Sequence, residues 1–252
     1  MLIGVSELIT QTWRLYRTHW KALVAYIISF FLPPVLLFFA GLAGVFISRS
    51  NALNTATNIT LLVLMAAAGL FAIWNSIALT AAIGAMVRGQ SALSWKQTFV
   101  AGRRLVWPII LVGVVVGAIV FGGTILLVIP GLIFLVWYAF TYYRIILDGY
   151  PGLGATLRES KQLVRGRWFD VAVRLAVPTV LFALCSAVLQ GLLSGLLLFL
   201  PTPPFIDNAV TNLLGAVIQA AIAPLTLIAG VILYQSAKNN PLPTASSLSS
   251  QP

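Results

Sequence analysis

Five stretches of this chain, 22–48, 50–87, 105–143, 175–206 and 208–237, contain no Asp, Glu, Lys or Arg. A helix needs ~20 mostly apolar residues to cross a hydrocarbon core ~30 Å thick, because each residue rises ~1.5 Å. Each stretch meets that length. The alternative, one water-soluble core, is excluded by composition: 60% of the chain is hydrophobic and 8% charged, against roughly 25% charged in soluble domains. The stretch 105–143 is about twice one span and contains Ile129-Pro130-Gly131. Proline lacks an amide hydrogen and glycine tolerates left-handed torsions, so these residues predict a tight reversal between two spans on the outer side. The expected fold is therefore an all-α, polytopic transmembrane helical bundle, one integral membrane domain over 1–240. Its spans fall near 22–47, 59–87, 105–127, 132–147, 175–200 and 209–235, about six in number.

The formal net charge is +10, a balance that in a soluble protein would suggest nucleic acid. Here the positions of the cations argue for topology instead, and no nucleic-acid partner is expected. Arg14, Arg17 and Lys21 precede the first span. Arg88, Lys96, Arg103 and Arg104 lie between the second and third. Arg144, Arg158, Lys161, Arg165, Arg167 and Arg174 lie at or after the fourth, and Lys238 follows the sixth. Arg49 alone falls on the other side. Under the positive-inside rule both termini face the cytoplasm. Glu7 and Arg14 interrupt the first residues before any long apolar run, so the first span is expected to act as its own insertion signal. Residues 241–252, rich in Pro, Ser and Thr, read as a disordered cytoplasmic tail. Cys185, the single cysteine, sits in an apolar run as a small packing residue.

Each pair of spans follows a basic, amphipathic segment. At ~100° per residue, Leu2, Val5, Ile9, Trp13, Tyr16 and Trp20 share one stripe, with Arg14, Arg17 and Lys21 beside it. Leu153, Leu157, Val164 and Trp168 repeat the pattern, flanked by Arg158, Lys161 and Arg165. Trp95, Phe99 and Val106 do so more weakly, with Lys96 and Arg103. Superposing Trp20, Val106 and Trp168 puts an arginine three positions earlier each time, Arg17, Arg103 and Arg165, and an apolar residue eleven positions earlier, Ile9, Trp95 and Leu157. The chain thus reads as three repeats of an amphipathic interfacial helix plus a transmembrane hairpin. Ser94-x-x-Gln97 and Thr156-x-x-Glu159 fit capping boxes. Such helices lie in the interface, aromatic face toward the acyl chains and basic face on anionic headgroups. The expected headgroup contacts are Arg14, Arg17, Lys21, Arg103, Arg158, Lys161 and Arg165. The expected aromatic anchors are Trp13, Tyr16, Trp20 and Trp168. A second reading, in which these residues only set topology, stays open here.

One stretch carries a family pattern. Leu126-Leu127-Val128-Ile129-Pro130-Gly131-Leu132-Ile133 is followed by Trp137, Asp148-Gly149, Ala155-Thr156-Leu157-Arg158-Glu159-Ser160 and Leu163-Val164-Arg165-Gly166-Arg167-Trp168. It resembles the membrane domain fused to some bacterial glycerophosphodiester phosphodiesterases, and is similar to the YciC-like inner-membrane proteins. Thr156 interrupts the family's Ala-Leu pair, and Asp148 replaces its commoner glutamate. The opening Trp13-Arg14-Leu15-Tyr16-Arg17 is also family-like. The resemblance implies a multi-pass protein of the bacterial inner membrane. It implies no activity, because the family's catalytic barrel has no counterpart in this sequence.

The residues themselves suggest no chemistry either. The chain has one histidine and five acids, no metal-ligand spacing and no phosphate-binding glycine loop, so no catalytic, metal or cofactor site is expected. Asp148 and Asp170 follow or precede Arg144 and Arg174 by four residues, a helical ion-pair spacing. Gly113-x-x-x-Gly117 and Gly191-x-x-x-Gly195 have the spacing that lets spanning helices approach closely. Asn75, Ser76, Thr80, Ser186, Gln190, Ser194, Asn212, Gln219 and Thr226 favour hydrogen bonds between helices. The expected function is non-enzymatic: binding membrane lipids, preferentially anionic, or scaffolding a membrane-protein partner or a second copy of the chain. A lipid or small-molecule transporter is the alternative.

Overall fold

A computed structural model describes residues 2–47, 51–90, 94–197 and 204–241. Arg49, the expected outer connections around 48–50 and 198–203, and the expected tail beyond Pro241 lie outside these residues. Among the described residues the fold is all-α. The helices are α1 (Val5–Thr18), α2 (Trp20–Ile47), α3 (Asn51–Val87), α4 (Trp95–Gly102), α5 (Val106–Leu126), α6 (Val128–Trp137), α7 (Thr141–Asp148), α8 (Leu153–Val164), α9 (Trp168–Leu197) and α10 (Pro204–Asn239), with a 3-10 turn at Arg103–Leu105. Five helical segments are long and apolar enough to cross a membrane: Asn58–Val87, Trp95–Leu126, Val128–Asp148, Trp168–Leu196 and Val210–Asn239. A sixth counts if Val5–Thr18 and Trp20–Leu36, bent by 88° at a short break, are taken together.

A short helix precedes a hairpin twice, α1 before α2–α3 and α8 before α9–α10. The expected middle repeat differs, because α4 continues through the 3-10 turn into α5 as one segment, Trp95–Leu126. The superposed residues Trp20, Val106 and Trp168 are the first residues of α2, α5 and α9. The hairpins pack tightly and are joined by polar side chains. Ser29 donates to Asn75 Oδ1 (2.7 Å) between α2 and α3. Gln219 donates to Ser186 (3.0 Å) between α10 and α9. Tyr142 bridges Ser76 and Thr80 across α7 and α3. Such bonds satisfy polar groups that have no water to turn to.

The core gathers on the C-terminal half of α10, where Ile228, Val231, Leu233, Tyr234 and Ala237 are buried. From Leu227 to Tyr234 this segment is apolar on every side, as a central helix must be. Gly230 admits Tyr143 so closely that a methyl group at 230 would overlap its hydroxyl. Pro33-Pro34, Pro178 and Pro224 lie inside helices, while Pro108 falls in the first turn of α5, where its missing N–H costs nothing.

The reversal in 105–143 sits two residues earlier than Ile129-Pro130-Gly131 predicts. Leu127 alone is extended (φ −163°, ψ 144°), and Pro130 belongs to the first turn of α6. Gly131 is not left-handed. Its role is proximity: a Cβ there would lie 2.1 Å from Thr124 Oγ1 and 3.0 Å from Thr124 backbone atoms. The two Gly-x-x-x-Gly pairs, by contrast, meet nothing within 4 Å, so they bring no helices together within the chain. Gly131→Ala should therefore cost about 1–3 kcal/mol through overpacking, whereas Gly113→Ala should cost nothing and gain a few tenths from propensity, about 0.5 kcal/mol. Thermal unfolding in detergent compares them, and equal melting temperatures would refute the close-contact assignment. Cys185 is exposed rather than packed.

Candidate functional site

The basic end of the bundle is organised by a few buried polar contacts. The turn from α8 into α9 needs Gly166 at φ +84°, a left-handed residue that only glycine adopts cheaply. The next residue, Arg167, is 9% exposed. Its Nε donates to Leu163 O (2.8 Å), Nη1 to Asn240 O (2.6 Å) and Nη2 to Ala237 O (2.7 Å). One guanidinium thus satisfies the final carbonyls of α8 and α10, groups that a helix cannot bond itself. Burial pulls its pKa down, and the Asp170 carboxylate partly restores it. Ser160 donates to Trp137 O (2.8 Å), a carbonyl freed where α6 breaks before α7, and Trp168 Nε1 donates to Ile133 O (3.3 Å) one turn earlier. In the sequence Ser160, Gly166 and Arg167 stand only as parts of a pattern; in the fold Ser160 and Arg167 satisfy backbone carbonyls and Gly166 makes the turn between them.

The ion pairs differ in part from the expected ones. Arg174 and Asp170 pair at 3.0 Å, as their spacing predicts. Asp148, however, takes Lys238 (2.7 Å) and the Tyr234 hydroxyl (2.5 Å) from α10, while Arg144 pairs with Glu159 and donates to Gly149 O (2.9 Å). A partner 90 residues away has no local spacing signal. The Ser94–Gln97 capping box forms, with the Ser94 N–H donating to Gln97 Oε1 at 3.2 Å. Thr156–Glu159 does not cap α8: its N-cap is Gly152, and Thr156 is buried within the helix.

Helix α1 is not free to roll. The Ile3 N–H donates to Ser236 Oγ (3.0 Å), Arg174 Nε to Ile3 O (2.6 Å), and the Tyr16 hydroxyl to Ala221 O (3.2 Å). Contacts at 236 and 221 from residues 3 and 16 make α1 antiparallel to α10. The residues of α1 that become buried are Leu8 and Thr12, joined by Leu15 and Tyr16. The predicted stripe through Val5, Ile9 and Trp13 lies at the edge of this face, because apolar residues cover more of the helix than one partner needs. Of the expected anchors, Trp13 and Trp20 remain 57% and 52% exposed. Tyr16 and Trp168 are half-buried and spend their polar atoms on the bundle.

Of the expected headgroup contacts, Arg14, Arg17, Lys21, Arg103, Arg158 and Arg165 are exposed. Lys161 instead stacks over the Trp137 ring at 4.1 Å, a cation–π contact that occupies it. Arg88, Lys96 and Arg104 are exposed as well. Among the described residues none of these nine exposed cations enters an ion pair. The acids near them are already used: Glu7 accepts from Gln11, and Asp148, Glu159 and Asp170 hold other cations. These nine cations are therefore left unneutralised. Arg17, Arg103 and Arg165 each lie three residues before the first residue of α2, α5 and α9, but at different levels of the bundle: Tyr16 meets α10 at Ala221, whereas Arg167 meets its end at Ala237 and Asn240. A guanidinium there offers a planar fork of donors suited to phosphate oxygens.

Among the described residues no group of three or more His, Cys, Asp or Glu could hold a metal. Comparison of the chain with protein-family models, curated proteins and solved structures yields no match.

Proposed function

We propose that the chain is a non-catalytic, multi-pass protein of a bacterial inner membrane, with both termini in the cytoplasm, that holds anionic phospholipid through its cytoplasmic cations. The observation that carries this reading is the triplicate Arg17, Arg103 and Arg165, exposed, unpaired and set at the start of α2, α5 and α9. Each cation close to an anionic leaflet contributes about 1 kcal/mol. Trp13 and Trp20 beside Arg17 are exposed indoles of the kind that settle at headgroup depth. The pattern through 126–168 supports placing the chain with the membrane domain associated with glycerophosphodiester phosphodiesterases, and the same cellular location. The polar side chains within the bundle bond one helix to another, which suits a holding role better than a conduit.

Extraction in mild detergent followed by lipid mass spectrometry tests the proposal. The purified chain should carry anionic phospholipid well above its share of the source membrane. A retained lipid profile equal to that of the bulk membrane would remove the reading.

A further inference from the structure

The exposed face of α2 leads from Lys21 into a cleft. Lys21, Ala25, Ile28, Leu32 and Leu36 follow one another at helical spacing and are all exposed, with Ile28 65% and Leu36 57% accessible. At Leu32 this stripe reaches an apolar cleft between α2 and α3 of about 160 Å³, bounded by Leu32, Pro33 and Leu36 on one side and Ala67, Ala68 and Phe71 on the other. Its cause is legible in the residues. Pro33 and Pro34 interrupt the α2 hydrogen-bond ladder, and α3 answers with two alanines where larger side chains would close the gap. The Ser29–Asn75 bond holds the helices together just before the cleft opens.

We propose that this cleft seats the distal part of an acyl chain of an anionic diacyl phospholipid whose phosphate lies at Arg17 and Lys21. The inference rests on the anionic-lipid reading above and specifies its ligand. Eleven residues separate Lys21 from Leu32, about 16 Å along a helix. That is close to half of a ~30 Å hydrocarbon core, so a chain whose head sits at Lys21 reaches the cleft near its end. The track between them is continuous and apolar, and Ala25 leaves it shallow. An apolar cavity of ~150 Å³ excludes water and accepts a small hydrocarbon, and this one is of that size. The headgroup supplies selectivity and the cleft supplies register.

The full chain in lipid nanodiscs, with phosphatidylglycerol carrying a diazirine at the acyl terminus, tests the assignment. Photoadducts should concentrate on 32–36 and 67–71, severalfold above those on the more exposed Val114 and Phe121 of α5. Ala68→Trp, or the milder Ala68→Leu, should remove most cleft adducts while total retained anionic lipid stays near the parent level. A phosphatidylcholine probe of the same chain should label the cleft severalfold less. Adducts spread evenly over the lipid-facing helices, with anionic lipid still enriched, would overturn the cleft and leave the arginine contacts intact. Equal cleft labelling by both probes would overturn the link between headgroup and chain.

Discussion

Arg167→Ala should be the most damaging single truncation at the basic end of this protein. The side chain makes three hydrogen bonds to carbonyls and is 9% exposed. A hydrogen bond involving a charged group contributes roughly 1.5–3 kcal/mol. Water entering the vacated space recovers part of the loss, so about 4 kcal/mol is expected overall. For a chain of this length that is on the order of 10 °C in melting temperature. Truncation also uncouples two helix ends, because the same fork holds Leu163 O of α8 and Ala237 O of α10. Arg167→Lys keeps the charge but presents one point instead of a planar fork, and should recover less than half of the stability. A melting temperature for Arg167→Ala within about 2 °C of the parent, less than 1 kcal/mol on this scale, would show that water caps these helices as well as the guanidinium does.

Reversing Arg17, Arg103 and Arg165 together to Glu should produce the largest functional loss. Removing an attraction of about 1 kcal/mol at each of three separate sites weakens anionic-lipid binding about fivefold per site, before any repulsion from the new carboxylates is added. Reversing Arg88, Lys96 and Arg104 changes the net charge equally but leaves the three helix starts intact. It should cost severalfold less. Neither variant should invert the protein. Under the proposed topology eleven of the fifteen basic residues stay on the cytoplasmic side. Lipid titration monitored by thermal stability compares the two variants. Equal losses would assign the effect to overall charge, and the helix-start geometry would have no part in it.

Much of the fold was legible in the sequence because the bilayer imposes a length. Uncharged runs of 20 residues or more mark the long helices, and the superposition on Trp20, Val106 and Trp168 marks where three of them start. The capping box at Ser94 was legible because its partners are local. What escaped depends on contacts that no local spacing encodes. Leu8 and Thr12 rather than Trp13 face the bundle, because an apolar face wider than one helix contact can turn either edge toward protein. Asp148 finds Lys238 on another helix instead of Arg144 on its own. Gly131 was recognised as unusual for the wrong reason: the helix pair needs its missing side chain, and its torsions are ordinary. Gly113 and Gly117 have the right spacing for helix contact and meet no helix within the chain.

The sequence placed the cations correctly in the chain but could not sort them. Lys161 looks equivalent to Arg165 by pattern, yet one stacks on Trp137 and the other is exposed. Arg167 looks like one more basic residue, yet it is buried and spent on carbonyls. Only the three-dimensional arrangement separates cations that complete the fold from cations left available to a ligand.

Counting bound lipids tests the central claim most directly. Mass spectrometry of the intact chain, released gently from detergent, resolves complexes with successive anionic phospholipids. Three arginines at helix starts predict a parent distribution reaching three tightly held anionic lipids, and Arg17→Glu, Arg103→Glu and Arg165→Glu should each remove one. A lipid distribution unchanged in all three single variants would contradict the account, leaving these arginines as topology signals alone.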